Sequence, residues 1–359
     1  MALDSYITLG RSGLRVSPFC LGAMTFGPES GYGAEVEDSE RILSHFLDRG
    51  GNFIDTANIY SKGHSEKIIG DFFATGKGSR NRAVIATKFF CNLYPGDPNG
   101  GGAGRKGMMA QCEESLRRLR TDYIDLYWLH NWDRHTPVEE TMRGLDDLVR
   151  SGKVRYIGLS DTPAWIAAQA QVMAHFRGWA PAIAFQGEYS LLARTIEGEH
   201  VAMCLDLGMG MTPWAPLKDG ILTGKYSGTA PVPGRRPNSV VQLSDREIAV
   251  LDVLKRVAGE VGHSMASVAL AWLRARPAVT SPLIGVRRLD QLDANLKALE
   301  VRLSAEQMDA LNSISKPALN FPFDINQTLS PSLQHAGATV NGEPSSLVPL
   351  APQTDAERY

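Results

Sequence analysis

Cysteine is scarce and unpaired. The 359 residues hold four, at Cys20, Cys91, Cys112 and Cys204, with no C-x-x-C among them. That spacing excludes a zinc ribbon and a disulfide framework, and it fits a reducing compartment. No apolar run approaches the roughly 20 residues that a bilayer-crossing helix needs, and the opening stretch MALDSYITLGRSGLRVS lacks the apolar segment of a signal peptide. A cytoplasmic protein is the expectation. Charge of neither sign dominates, since 37 Lys and Arg stand against 39 Asp and Glu for a net charge of −2. Without a basic run, no field draws nucleic acid or an anionic membrane, so a small-molecule partner is expected. Composition fixes no oligomeric state.

Phosphate-binding loops are also missing. GDFFATGKG (70–78) has one residue too many between its glycines and Gly78 where a Walker loop needs Ser or Thr. GMGMTP (208–213) ends on proline where a dinucleotide fingerprint needs its last glycine. His64-Ser65-Glu66 has no P-C-x-x-C to complete a deaminase site. A dinucleotide, if bound, is not held in the Rossmann manner.

What is there is a regular alternation. Eight short apolar runs, FCLG (19–22), NFI (52–54), AVIA (83–86), YIDLYWL (123–129), VRYIGL (154–159), AIAF (182–185), MGMTP (209–213) and TSPLI (280–284), are separated by amphipathic segments. DSERILSHFLDRG (38–50), QCEESLRRL (111–119), VEETMRGLDDLVRSG (138–152) and PAWIAAQAQVMAHF (163–176) read as helices, with Gly50 and Gly152 as stops. Strands alternating with helices imply a parallel sheet covered on both faces. An open doubly wound sheet satisfies this too, but the count of eight and the length favour an α/β fold of the (β/α)8 barrel type. YITLG-RSG-LRVS ahead of the first strand reads as a hairpin that plugs the barrel floor. Long loops follow the third strand (91–107) and the seventh (215–243), and both are candidate covers for a site. The division expected is a barrel over 1–315 and a tail over 316–359, rich in Pro, Ser and Gln with little helical period, lying over the substrate pocket.

Barrel enzymes keep their sites at the C-terminal ends of the strands. Asp55 and, five residues on, Tyr60 follow the second run; Lys88 ends the third and His130 the fourth. One such residue at a strand end is ordinarily structural, whereas four titratable groups converging on one rim form a site. Their chemistry fits carbonyl reduction. A tyrosine hydroxyl can give a proton to a developing alkoxide, although its ordinary pKa near ~10 makes it sluggish at neutral pH. A neighbouring ammonium lowers that value, a carboxylate holds the ammonium, and an imidazole orients the carbonyl oxygen. His130 is the sole histidine placed at a strand end, so no metal is expected.

Long blocks in order resemble the aldo-keto reductases: LGRSGLRVSPFCLGAMTFG, GGNFIDTANIY, ATKFF, SLRRLRTDYIDLYWLHNWD, GKVRYIGLSD, FQGEYSLL, PWAPLKDGILTGKY and GVRRLDQLDANLKAL, together spanning about residues 6–315. The resemblance implies a tetrad of Asp55, Tyr60, Lys88 and His130 with Tyr60 as proton donor, and NADP(H) as cofactor. It implies Ser160 and Gln186 on the nicotinamide carboxamide, Trp214 stacked on the ring, and Gly22 and Met24 lining the same pocket. It places Ala215, Leu217, Gly220 and Lys225 over the pyrophosphate, and Gly285, Arg287, Gln291 and Asn295 at the adenosine end. Lys225, Arg235 or Arg287 would hold a 2′-phosphate, because such cations pair well with phosphate oxygens.

Two departures stand out. Asp161 occupies a position where many members carry Asn or Arg, so it either turns away or accepts from the carboxamide nitrogen. Gln291 and Ala294 replace an Arg and a Glu common elsewhere, removing one phosphate and one adenine contact. Tyr94, Trp132, Phe321 and Phe323 are candidate walls of the substrate pocket, pointing to a hydrophobic or mid-sized carbonyl compound. The second reading is a cofactor-binding regulatory subunit of a membrane channel, because the cytoplasmic β-subunits of potassium channels share this fold and the 214–225 block resembles theirs equally well.

Overall fold

The computed structural model describes residues 1–226, 228, 230–233 and 239–358. Two short strands open the chain, β1 (Ile7–Thr8) and β2 (Arg15–Val16), paired antiparallel with Ile7 opposite Val16. The barrel strands follow: β3 (Cys20–Gly22), β4 (Phe53–Asp55), β5 (Val84–Phe89), β6 (Ile124–Leu129), β7 (Val154–Ser160), β8 (Ala182–Gln186) and β9 (Gly210–Met211). A small antiparallel ladder of β10 (Val232–Pro233) and β11 (Val240–Val241) precedes the last barrel strand, β12 (Leu283–Gly285). The eight run parallel in the order β12-β3-β4-β5-β6-β7-β8-β9. The circle closes between β9 and the segment leading into β12. A bridge joins Met211 to Val279, and the Leu283 N–H donates to the Pro213 carbonyl at 2.9 Å. Pro213 and Pro282 have no N–H to give to a ladder, which is why these two strands are shorter than the apolar runs that announce them.

Helices clothe the sheet: α1 (Val36–Asp48), α2 (His64–Ala74), α3 (Arg105–Leu119), α4 (Val138–Arg150), α5 (Ala164–Arg177), α6 (His200–Leu207), α7 (Asp245–Val261), α8 (Met265–Arg274), α9 (Leu289–Leu296) and α10 (Ala305–Ile314). In α4, Thr141, Met142, Leu145 and Leu148 fall on one face and are buried, while Glu139 and Glu140 in the first turn and Arg150 in the last complement the helix dipole. Gly152 ends its connection in the left-handed region, at φ 77°, where a side chain would be strained.

The hairpin caps the floor, as its sequence suggested. Leu9 and Val16 are fully buried in one cluster with Cys20, Phe53, Leu126, Trp128 and Ala184, which fills the inside of the barrel. The Trp128 ring needs the bare backbone of β7 beside it: a Cβ on Gly158 would lie 2.4 Å from the ring. This packed layer supports the rim above it.

The tail is more structured than its composition promised. It holds two six-residue helices, α11 (Phe323–Thr328) and α12 (Ser330–His335), and a ladder of β13 (Thr339–Val340) and β14 (Glu343–Pro344). Helices this short show less than two turns of period, so they leave no pattern to read. The loop after β9 likewise contains a tight helical turn at Lys218–Thr223. Among the described residues, no helix is long and apolar enough to cross a membrane.

Candidate active site

Asp55 is the last residue of β4, Lys88 the fifth of β5, and His130 follows β6 directly. Parallel pairing sets Asp55 beside Ala86 and Lys88 beside Trp128, which brings neighbouring strand ends to one level of the rim. Lys88 is fully buried, and all three of its ammonium protons are spoken for. They go to Asp55 Oδ1, to the Thr56 carbonyl at 2.9 Å and to the Tyr60 hydroxyl at 3.3 Å. The second Asp55 oxygen accepts from Gln186 Nε2 at 3.2 Å. His130 meets the Tyr60 ring edge-on, with centroids 5.9 Å apart.

Tyr60 is delivered from a loop by unusual backbone. Ser61, Lys62 and Gly63 follow it at φ 48°, 58° and 92°. Two non-glycine residues in the left-handed region cost on the order of 1 kcal/mol each, and their persistence marks a turn held by its surroundings. The Ser61 hydroxyl does part of that holding, donating to the Phe26 carbonyl at 2.7 Å.

Lys88 does pull the Tyr60 pKa down, as expected, but its pull does not prevail. Burial and, behind it, the Asp55 charge outweigh the pull of Lys88, so Tyr60 stands above the ordinary tyrosine pKa rather than below it. Burial also works against the Lys88 ammonium, but Asp55 and then Tyr60 overcome it and hold Lys88 charged, above the usual lysine value. Burial lifts Asp55, opposed by Lys88 and Gln186. Burial and the Lys88 charge press His130 down to about 3, so its imidazole is neutral. At neutral pH the site therefore holds a protonated phenol, an ammonium–carboxylate pair and a neutral imidazole.

A second set of residues lies along the rim. Ser160 and Gln186 are register partners at the ends of β7 and β8. Asp161, at φ 42°, turns its Oδ1 to the Trp214 indole N–H at 2.9 Å, so it does turn toward a neighbour of its own chain. Ala215, Lys218, Asp219 and Gly220 all have positive φ, and Leu217 packs against the core beneath them. Lys225 folds over Gly220, whose Cβ would stand 3.0 Å from the ammonium. Lys218 pairs with Glu188, tying this loop to the one after β8. Gly22 and Gly285 are partners on β3 and β12, with half-buried Met24 just beyond. Gln291 Oε1 accepts from the Arg287 N–H at 2.9 Å, the Arg287 guanidinium reaches the Tyr32 carbonyl at 3.2 Å, and Asn295 is buried on α9. Arg235 lies outside the described residues.

The proposed pocket walls are less gathered. Trp132 is edge-on to Trp165, with centroids 6.0 Å apart, and lines a crevice of about 10 Å³, room for little more than a water. Tyr94 is exposed and leans on Gly100, Phe321 is 77% exposed, and Phe323 is half-buried at the start of α11. Two neighbours of the tetrad escaped the sequence reading. Cys91, which its sequence marks only as an unpaired thiol, places Sγ 3.8 Å from His130 Nδ1. Trp128, two residues before His130 and so on the same inward face, has an indole N–H that lacks a full hydrogen bond among the described residues yet stands near enough to Asp55 to favour its carboxylate. The period of two in YWLH could have found it.

Comparison with known proteins agrees with this fold. The model of the Aldo/keto reductase family matches residues 18–316. An uncharacterized oxidoreductase of Bacillus subtilis is 39% identical over 86% of this chain and 95% of its own length. An aryl-alcohol dehydrogenase (NADP+) of Phanerodontia chrysosporium is 37% identical over 87% of this chain and 86% of its own. Norsolorinic acid reductase B of Aspergillus parasiticus is 36% identical over 86% and 83%. An eight-stranded parallel barrel, a family match over nearly all of it and relatives of this similarity place the chain in the aldo/keto reductase family.

Proposed function

We propose that this oxidoreductase passes hydride between NADP(H) and an aldehyde or ketone, or the corresponding alcohol, with Tyr60 as general acid and base. The observation that carries the reading is Lys88, buried and charged, donating at once to Asp55 and to the Tyr60 hydroxyl beside a neutral His130.

The residues present fit a nicotinamide dinucleotide. The Ser160 hydroxyl and Gln186 amide offer a donor–acceptor pair for a carboxamide, and Trp214, steadied by Asp161, offers a flat apolar face for the ring. Side chains are missing from both Gly22 and Gly285 at adjoining strand ends, where a ligand needs close approach to backbone. Ala215, Leu217, Gly220 and Lys225 would hold the pyrophosphate, with the Lys225 ammonium supplying positive charge beside Gly220. Gly285, Arg287, Gln291 and Asn295 would hold the adenosine, and Lys225, Arg287 or Arg235 a 2′-phosphate. The bound cofactor supplies the hydride.

The protein's own groups handle the oxygen and the proton. Neutral His130 orients the carbonyl oxygen by its ring N–H. Tyr60, protonated at neutral pH, gives its proton as negative charge grows on that oxygen, and Lys88 steadies the phenolate left behind. Asp55 keeps Lys88 charged and aimed. In the oxidative direction Tyr60 takes the proton back. The barrel over 1–315 would carry this chemistry, with the 316–359 tail and Tyr94, Trp132, Phe321 and Phe323 shaping the substrate side. The name of the relative from Phanerodontia chrysosporium supports aryl alcohols and the corresponding carbonyl compounds as substrates.

The test is turnover of NADPH, and separately NADH, against aromatic and aliphatic aldehydes, ketones and alcohols. Deuterium at C4 of the reduced cofactor should appear in the alcohol product. Tight cofactor binding without turnover would favour the regulatory-subunit reading, and binding of neither cofactor would end both.

A further inference from the structure

An open cavity of about 270 Å³ lies among Arg194, Glu197, Arg276, Asn312, Lys316 and Leu319, none of them a residue of the rim described above. Its size is close to the lower end of ligand pockets, roughly 300–1,000 Å³. Three cations face one carboxylate. Arg194 is 6% exposed, and its guanidinium is fixed by Glu197 at 2.8 and 3.0 Å, by the Asn312 carbonyl at 2.7 Å and by the Ser315 hydroxyl at 2.7 Å. Arg276 donates to the Tyr189 hydroxyl at 3.1 Å and to Asn312 Oδ1 at 3.1 Å, and its other terminal nitrogen stands 3.5 Å from Glu197.

The lining carries more positive than negative charge, although both guanidiniums also lie over the Trp272 ring. Glu197 neutralises one guanidinium and is shared by both, while Tyr189 also donates to it at 2.6 Å. A guanidinium has five N–H donors, and Arg276 commits two to hydrogen bonds, so donors remain on a rigid, partly buried cation. Lys316 is exposed and lines the same cavity. Ser313 and Gln327 add neutral polar groups to the lining. Preorganised guanidinium donors with surplus positive charge and an ammonium at the edge are suited to the oxygens of a dianion.

We propose that this cavity binds a phosphate group, free or carried by a small metabolite, at a site separate from the one proposed for the dinucleotide. Binding needs no contact with Tyr60, Lys88 or His130, and it stands whether or not the dinucleotide reading does. Arg276 and Lys316 hold the anion, and Arg194 stiffens the floor.

The test is thermal unfolding and calorimetry of the full chain with inorganic phosphate, against chloride at matched ionic strength. Titrations are run with and without saturating NADP+, which occupies the other phosphate-binding place. Phosphate should raise the midpoint in both conditions, with millimolar half-saturation. Lys316→Glu should weaken that binding tenfold or more, Lys316→Arg should retain it, and Arg276→Gln should weaken it comparably. Comparison of inorganic phosphate with glycerol phosphate separates a free anion from a carried one. No phosphate-specific shift in the unmodified protein would overturn the proposal. An undiminished shift in the exposed Lys316→Glu variant would do so too, and a shift that vanishes with NADP+ and with Lys225→Ala would assign the binding to the dinucleotide site instead.

Discussion

Replacing Lys88 by Met removes one partner of a buried pair while keeping the side chain's length. In the native protein the ammonium satisfies Asp55, the Thr56 carbonyl and Tyr60, and it is fully enclosed. Without it, Asp55 keeps one hydrogen bond, from Gln186 at 3.2 Å, and a buried charge with no counter-ion. Breaking such a pair from one side costs about 3–5 kcal/mol, a large part of the roughly 5–15 kcal/mol that holds a domain folded. Burial already lifts the Asp55 pKa, and loss of Lys88 lifts it further. A carboxyl raised in the folded state is stabilising below its unfolded pKa, and that contribution is lost as pH rises toward the folded value. The Lys88→Met deficit should therefore shrink as pH falls toward the ordinary carboxylate range. Guanidinium unfolding of the single variant, of Asp55→Asn and of the double variant closes a cycle, and the double variant should be more stable than Lys88→Met alone. A deficit under about 1 kcal/mol, or one indifferent to pH, would refute the buried-pair reasoning.

Other consequences follow from the same geometry. His130 is depressed to about 3 while an unfolded histidine titrates near ~6.5, so native stability should fall as pH drops through that interval. The loss approaches a few kcal/mol at roughly 1.4 per pH unit, and His130→Gln should flatten the curve in acid unfolding. Gly158→Ala pushes a methyl to 2.4 Å from the Trp128 ring and should cost about 1–3 kcal/mol by calorimetry. Asp161→Asn keeps an acceptor for the Trp214 indole and removes an anion beside the proposed nicotinamide pocket. Cofactor affinity, followed by tryptophan fluorescence, should rise severalfold; an unchanged or weaker affinity would mean that Asp161 carries no such penalty.

The barrel was legible because its signals are local and repeated. Eight apolar runs and helix stops such as Gly50 and Gly152 carry their own period, and the plug hairpin follows from YITLG-RSG-LRVS. The meeting of Asp55, Tyr60, Lys88 and His130 was legible from strand ends, since parallel strands put those ends on one rim. The balance of forces on Tyr60 was not. A neighbouring ammonium can be guessed from spacing, but the burial that outweighs it exists only once the chain is folded. The strained turn at Ser61 and Lys62 was equally hidden, because neither residue type advertises positive φ. Helices α11 and α12 are too short to show a period, and the walls of the substrate side are set by loops rather than by any repeat.

The central claim is that Tyr60 gives the proton while the rest of the rim holds cofactor and substrate. The direct measurement is rapid-mixing single turnover of Tyr60→Phe with prebound NADPH and an aromatic aldehyde, beside equilibrium cofactor binding. Binding should stay within about twofold of the native protein while the rate falls by about 10²–10⁴-fold, the usual contribution of a positioned general acid. A variant that still reduces the aldehyde at a near-native rate would contradict that claim.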